Sequence, residues 1–192
     1  MNRQQLISTI TSHNMDIFRI NDLRKLFPDE ANLKVAVKRM IDTGIIIPVA
    51  RGIYTLKEES LDIENIATRL YYPSYISFES ALSKYGIINQ GLYGLTLATT
   101  RHSKKMILAG VDCEYCQIKG SLYTGYTLTN GTYLASPEKA LLDLLYLHAL
   151  GKRTINPTEW ITDALNPKEI RGYLTKYPPA VENMVKELGL WK

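Results

Sequence analysis

Cysteine, histidine and long apolar runs are all scarce in this sequence of 192 residues. No apolar run approaches the roughly 18 residues typical of a membrane-spanning helix, so the sequence predicts no membrane partner. The first residues, M-N-R-Q-Q-L-I-S-T-I, lack the apolar core of a signal peptide, and we therefore expect a cytoplasmic protein. Low-complexity segments and internal repeats are also missing. The length fits one large or two small globular domains.

The two cysteines form a single C-x-x-C, at Cys113 and Cys116. A zinc site needs two further ligands, normally a second close pair, but His13, His102 and His148 are scattered along the chain. A thioredoxin-like site would place the pair at the start of a helix, whereas this pair falls in a predicted strand. We therefore expect a buried or half-buried strand, with no metal and no cofactor.

Enzyme motifs are missing as well. The sequence has no phosphate loop, no G-x-S-x-G, no H-x-x-x-H and no recognisable Ser/His/Asp set. Glu138 and Asp143 share a predicted helix but lie five residues apart, so they do not form a carboxylate pair on one face. That helix is otherwise apolar, and we expect Asp143 to form a cap or a salt bridge inside the domain. The sequence predicts no catalytic residue and no enzyme.

The positive charge of the chain is confined to its beginning. Residues 1–57 hold 9 Lys and Arg against 5 Asp and Glu, a net charge of +4, whereas residues 58–192 hold 14 of each. A small basic module on a neutral body favours nucleic-acid binding.

The stretch 29–56 organises the basic part. Leu33, Ala36, Val37 and Met40 recur at three- and four-residue steps, which predicts a helix with one apolar face. Asp29 or Asn32 is expected to cap this helix, and Gly44 to end it. On its outer side we expect Ala31, Val35, Lys38 and Asp42, flanked by Lys34 and Arg39.

Two short apolar strands follow, predicted at 45–49 and 53–56 and joined by Ala50, Arg51 and Gly52. Upstream, the sequence predicts a helix over 2–12, an extended segment over 17–20, and a helix over 22–27 capped by Asn21 and stopped by Pro28. Helix, strand, helix, helix and hairpin in this order predict an N-terminal winged helix-turn-helix over residues 1–57. Such a unit places its helix in the major groove of DNA and its hairpin, the wing, beside the backbone or in a minor groove.

The polar segment 57–60 is the predicted boundary to a second domain, residues 58–192. Its pattern predicts an α+β fold, with a small antiparallel sheet wrapped by helices. Strands are expected near 95–100, 105–109, 114–119 and 133–135. Helices are expected over 61–71, over 78–85 with Ser77 as cap, from a strong Ser136 cap onward, over 157–165 and 167–176, and from Pro179 to about Leu188.

The candidate DNA contacts follow from this arrangement. Lys34, Lys38 and Arg39 are expected to meet phosphates or guanine edges, Asn32 a base edge and Val35 a thymine methyl. In the hairpin turn, Arg51 can enter a narrow minor groove, and Gly52 supplies the conformational freedom. A second basic patch is Arg101, Lys104 and Lys105, which can bind phosphates or an acidic protein surface, or simply be a solvated loop.

At this point the residues resemble a known family, the AbiEi-type antitoxins of type IV toxin–antitoxin (abortive infection) systems. The hairpin G-I-I-I-P-V-A-R-G-I-Y-T-L at 44–56 is similar to the family's wing. Residues 77–100 look like the helix and strand that begin its C-terminal domain. The segment A-S-P-E-K-A-L-L-D-L-L-Y-L at 135–147 is similar to its "A-x-x-E-K-A-L-x-D" helix. The resemblance covers nearly the whole chain.

The resemblance implies a transcriptional autorepressor that binds inverted repeats in the double-stranded DNA of its own promoter. It also implies an AbiEi-like C-terminal domain, residues 58–192, that counters a nucleotidyltransferase-type toxin, directly or indirectly. The alternative that the sequence leaves open is a winged-helix adaptor that acts through protein–protein contacts without binding an operator. The thirteen tyrosines, many of them in the second domain, are compatible with a protein interface.

Overall fold

The computed structural model describes residues 3–13, 15, 17–28, 31–57, 61–89 and 94–190. Helices and strands are mixed along these residues, so the predicted α+β class is confirmed. By internal contacts the chain divides into two compact units, residues 1–66 with 107–110 and residues 67–106 with 111–192. The domain boundary at 57/58 stays a prediction, since residues 58–60 lie outside the described part. Among the described residues, no helix has both the length and the apolar character needed to cross a membrane.

The first unit packs helices against a three-stranded antiparallel sheet of order β1-β3-β2. The inner faces of its first three helices pack together in the core. Leu6, Leu23 and Val37 are buried there with Phe18 of the sheet. The elements are α1 (Arg3–Ser12), β1 (Ile17–Arg19), α2 (Ile20–Leu26), α3 (Leu33–Asp42), β2 (Ile46–Ala50) and β3 (Ile53–Leu56), and α4 (Ile63–Leu70) follows.

Helix α3 ends as its sequence predicts. Gly44 has a φ of +67°, its N–H donates to the Ile41 carbonyl at 2.9 Å, and the Ile45 N–H donates to the Met40 carbonyl at 2.8 Å. These two bonds form a Schellman motif, which needs a left-handed residue at this position. The expected end of the helix at Gly44 is therefore confirmed.

The N-caps predicted for α2 and α3 are not confirmed. Helix α2 begins at Ile20, before the expected cap Asn21, because the Asp22 carboxylate accepts a hydrogen bond from the Arg19 N–H at 2.8 Å and satisfies the helix start from within. Asn32 does precede α3, but its side chain makes no capping bond. Asp29, the other expected cap, lies outside the described residues.

The second unit contains a six-stranded sheet of order β6-β7-β5-β4-β9-β8, apart from the last two residues of β6, which are assigned to the first unit. Its strands are β4 (Ser74–Ile76), β5 (Gly94–Thr99), β6 (Lys104–Leu108), β7 (Val111–Gln117), β8 (Tyr126–Thr129) and β9 (Thr132–Ala135). Its further helices are α5 (Phe78–Lys84), α6 (Pro137–Ala149), α7 (Pro167–Leu174) and α8 (Pro179–Glu187).

The sheet is mixed, so the expected small antiparallel sheet is wrong. β4 pairs antiparallel with β5 and β8 with β9, but β4 runs parallel to β9 and β5 parallel to β7. Two features account for the difference. The buried strand β4, only three residues long, gave no alternating pattern and was not predicted, yet it lies between β5 and β9. β7 lies between β5 and β6, so these two strands are not neighbours although they are consecutive in sequence.

Side-chain capping bonds form at the starts of α6 and α7 in the second unit. As predicted, Ser136 Oγ accepts the Lys139 N–H at 3.2 Å at the start of α6. At the start of α7, Asn166 Oδ1 accepts the Lys168 N–H at 3.0 Å. The helix expected over 157–165 is only a 3₁₀ turn over 157–159. There the Asn156 side chain accepts the Thr158 hydroxyl at 2.8 Å instead of capping the backbone.

Candidate nucleic-acid interface

Helix α3 separates its apolar and charged residues cleanly. Leu33, Ala36, Val37 and Met40 are buried, as predicted. The residues expected on the outer side and its flanks are all exposed, namely Ala31, Lys34, Val35, Lys38, Arg39 and Asp42, and Asn32 is exposed as well. Val35 keeps 56% of its surface open to solvent although it is aliphatic. The buried face therefore fixes the helix while the exposed face presents three cations beside a methyl-bearing side chain.

A depression of about 370 Å³ lies at the beginning of α3, between it and α2. Arg24 of α2, Lys34 of α3 and Asn32, which precedes α3, contribute its polar lining. Arg24 was not among the residues predicted to contact DNA. The available signal in the sequence was the position of Arg24 directly after the apolar Leu23. In the structure Leu23 is buried and Arg24 is exposed, on the solvent side of α2. The structure thus extends the basic surface from α3 to α2.

The β2–β3 turn presents the remaining candidate cation. Arg51 and Gly52 form the turn and are both exposed, whereas Ala50, expected in the loop, still belongs to β2. Gly52 has a φ of +73°, and nothing lies within 4 Å of the position of a Cβ there. Backbone conformation rather than space therefore favours glycine. The pairing of β2 and β3 shifts register between Pro48 and Ala50, a bulge next to the turn.

The second basic patch is divided by the structure. The Arg101 guanidinium lies over the Tyr71 ring at 4.2 Å from its centroid, and the Lys104 ammonium lies 5.3 Å from the same centroid. The Tyr71 hydroxyl donates to the His102 carbonyl at 2.9 Å, which holds the loop to the ring. Lys105 instead pairs with Glu114 at 3.3 Å. Arg101 and Lys104 thus share one aromatic support, and Lys105 belongs to a different cluster.

That other cluster lines a cleft of about 480 Å³ in the second unit. Arg153 is its centre and contacts Glu79 at 3.5 Å and Glu114 at 2.7 Å. Burial alone would raise the pKa of Glu114, but the hydrogen bond and charge of Arg153, with Lys105, outweigh it and hold the pKa below its ordinary value. The cations of this cleft are therefore occupied by carboxylates of the same unit.

The two cysteines lie in strand β7, and the expected strand location is confirmed. They are three residues apart, so their side chains point to opposite faces of the sheet, and both are free and buried. Burial raises the pKa of the Cys113 thiol to about 11. Within the described ranges, no group of three or more His, Cys, Asp or Glu side chains is placed to hold a metal ion.

Helix α6 contains an ion pair, of which the sequence predicts only Asp143. The Asp143 carboxylate pairs with the Lys139 ammonium one turn earlier, so the expected internal salt bridge of Asp143 is confirmed. It also accepts hydroxyl hydrogen bonds from Tyr177 at 2.7 Å, Tyr75 at 2.8 Å and Ser77 at 2.9 Å. Lys139 and Asp143 are fully buried. This polar cluster joins α6 to β4, to the start of α5 and to Tyr177 near α8.

The cluster explains two further observations. Ser77 stands at the start of α5 but makes no capping bond, because its hydroxyl donates to Asp143; the expected cap is therefore wrong. Burial lowers the pKa of Lys139, and the Asp143 carboxylate opposes that shift. Burial and the same carboxylate raise the pKa of Tyr177. A carboxylate with four donors around it is saturated, which suits a structural role.

Comparison with known proteins assigns no family. A scan of the chain against models of known protein families gives no match. A search of curated proteins gives no match either. The functional interpretation therefore rests on the residues themselves and on the resemblance that they carry.

Proposed function

We propose that the first unit is a winged helix-turn-helix that binds double-stranded DNA, with α3 in the major groove and the β2–β3 turn as the wing. The observation that carries the proposal is the exposed face of α3, where Lys34, Lys38 and Arg39 point away from a buried apolar face. Exposed Arg51 at the hairpin turn supports it, since a wing places its tip against DNA.

The dimensions and charge agree with this geometry. Ten residues make α3 roughly 15 Å long, and the major groove of B-DNA, about 12 Å wide, admits an α-helix. The whole net charge of +4 falls within residues 1–57. In this arrangement Lys34, Lys38 and Arg39 contact phosphates or guanine edges, and Arg51 reaches a minor groove or its backbone. Arg24, at the depression beside α3, adds a phosphate contact.

We further propose that the protein is an antitoxin and transcriptional autorepressor, as the resemblance to AbiEi-type antitoxins implies. Its partners are then its own promoter, read at inverted repeats, and a nucleotidyltransferase-type toxin that it counters directly or indirectly. The E-K-A-L-x-D part of the resemblance contains Lys139 and Asp143, the buried ion pair of α6. Those motif residues therefore support the fold of the second unit, and toxin neutralisation depends on that fold.

A winged-helix adaptor that binds protein instead of DNA is the second candidate. The exposed Tyr72 and Tyr85 of the second unit favour it, since tyrosine is enriched at protein interfaces. The adaptor binds no operator, so it predicts no salt-dependent binding of promoter DNA, which separates it from the first candidate.

The test is binding of the full chain to duplex DNA from its own upstream region, followed by fluorescence anisotropy at several salt concentrations. Affinity should fall steeply with salt, with a log–log slope of about −0.9 for each phosphate neutralised. Lys38→Ala with Arg51→Ala should weaken binding and flatten this slope. Lys119→Ala with Lys168→Ala removes the same charge from exposed sites of the second unit and is the matched control. An affinity that changes neither with salt nor with Lys38→Ala and Arg51→Ala excludes the DNA-binding proposal.

A further inference from the structure

The two edges of the six-stranded sheet differ in charge. At one edge, β6 carries Lys104 and Lys105. At the other edge lies β8, in a segment, residues 120–137, that contains no charged residue at all. Proteins commonly place charges, especially lysine, on edge strands to prevent pairing with another chain. β6 has this protection and β8 lacks it.

The backbone of β8 is oriented for further pairing. β8 and β9 form a hairpin closed by Asn130 and Gly131, both with positive φ, and Thr129 lies opposite Thr132. In a two-residue hairpin the residues flanking the turn form a hydrogen-bonded pair, and such pairs alternate along the strands. Thr129 and Thr127 therefore direct their backbone groups to β9. The N–H and C=O of Leu128 face away from β9, on the side where the strand order ends among the described residues.

The side chains of this edge are open. Leu128 exposes 60% of its surface, more than a buried edge would allow. Thr127 and Thr129 are also exposed, and their hydroxyl oxygens lie 3.4 Å apart on the same face. An aliphatic residue between two threonines, with outward backbone groups, is a surface suited to another strand.

We propose that β8 pairs antiparallel with β8 of a second copy of this chain, about a two-fold axis through Leu128. The sequence Thr-Leu-Thr reads the same in both directions, so the pairing places Leu128 opposite its own copy and Thr127 opposite Thr129 of the second copy. Threonine pairs across antiparallel strands are favourable. A two-fold interface must be self-complementary in this way.

Charge favours a second copy over an unrelated partner. Two copies of a chain with a net charge of +4 repel each other, and the uncharged segment 120–137 is where they meet without opposing like charges. A single pair of four-residue strands is a small interface, so the dimer is weak and forms in the micromolar range. Dimerisation through β8 is independent of DNA binding and is measured without DNA.

The first experiment is sedimentation velocity of the full-length protein across the micromolar range. Leu128→Lys places like charges opposite each other and should raise the dimer dissociation constant by about tenfold or more. Ile161→Lys adds the same charge at another exposed aliphatic residue, 55% open, and should leave dimerisation unchanged. A protein that stays monomeric at every concentration, or equal effects of the two variants, overturns the proposal.

The second experiment fixes the register. Residues of a hydrogen-bonded antiparallel pair have Cα atoms about 5.5 Å apart, a spacing that a disulfide spans. Leu128→Cys should therefore form a covalent dimer under mild oxidation, whereas Ile161→Cys should stay monomeric. The native thiols do not interfere, since Cys113 and Cys116 are buried. Dimerisation without faster cross-linking at residue 128 places the interface elsewhere and also overturns the proposal.

Discussion

The two units use lysine in opposite ways. In α3 of the first unit, Lys34 and Lys38 stand on a solvent-exposed face, opposite a continuous apolar face. In α6 of the second unit, Lys139 is fully buried and pairs with Asp143 inside a cluster of tyrosine and serine hydroxyls. The exposed lysines are hydrated and accessible to a partner. The buried lysine has exchanged its hydration for fixed contacts.

The difference separates folding from binding. A charge taken out of water costs several kcal/mol unless its partners replace the lost hydration. Removing a partner of Lys139 should therefore lower the free energy of unfolding strongly. Removing an exposed lysine should change it little. Variants of the second unit should act on stability, and variants of the first unit on ligand binding.

The largest expected effect comes from Asp143→Ala. It leaves the Lys139 ammonium buried without its carboxylate, and should lower the free energy of unfolding by about 3–5 kcal/mol. The matched control is Glu182→Ala, which breaks the exposed i,i+4 pair with Lys186 and should cost only about 0.3–0.5 kcal/mol. Urea denaturation of both variants gives the comparison. Similar losses in the two would show that the buried pair contributes no more than a surface one.

Leu142→Ala tests the link between the core of the second unit and neutralisation. Leu142 is fully buried in α6, so its truncation should cost about 2–5 kcal/mol. If the protein is an antitoxin as proposed, cells that express the cognate toxin and this variant should lose protection before they lose promoter repression. Leu150→Ala, at the exposed end of the same helix, should change stability by less than about 0.5 kcal/mol and keep protection. Full protection by a measurably destabilised Leu142 variant would separate neutralisation from this core.

Lys38→Ala with Arg51→Ala probes the other side of the comparison. Neither side chain is buried, so stability should shift by about 0.5 kcal/mol or less per site. Loss of a contact that reads a base should cost about 1–3 kcal/mol of binding. A promoter reporter should therefore be derepressed while protection from the toxin persists. A folded variant that still represses but no longer protects would reverse the assignment of functions to the two units.

The smallest effect is expected at the cysteines. Cys113→Ser with Cys116→Ser should leave DNA binding nearly intact. In the native protein, the raised pKa of Cys113, about 11, leaves very little thiolate at pH 8. Labelling by a thiol reagent should therefore be slow until denaturant is added. Rapid labelling of the folded protein, or stoichiometric zinc that disappears in the double variant, would contradict the assignment of this pair to a buried strand.

Features with a local cause could be read from the sequence. The apolar face of α3 follows from its spacing, and Gly44 ends the helix because the Schellman motif needs a left-handed residue there. The start of α6 follows from Ser136 and Pro137, which act within one turn. The exposed cations on α3 and the turn at Arg51 and Gly52 could be predicted from the sequence for the same reason. All of these depend on residues a few positions apart.

Features set by distant contacts needed the folded chain. Strand β4 has three residues and too little pattern to be recognised, and its place between β5 and β9 comes from burial. Ser77 has the sequence of a helix cap, but its hydroxyl bonds to Asp143, 66 residues later. Tyr177 reaches the same carboxylate from 34 residues away. Such partners meet only when the helices and the sheet pack, since burial rather than local geometry determines which donor satisfies a buried charge.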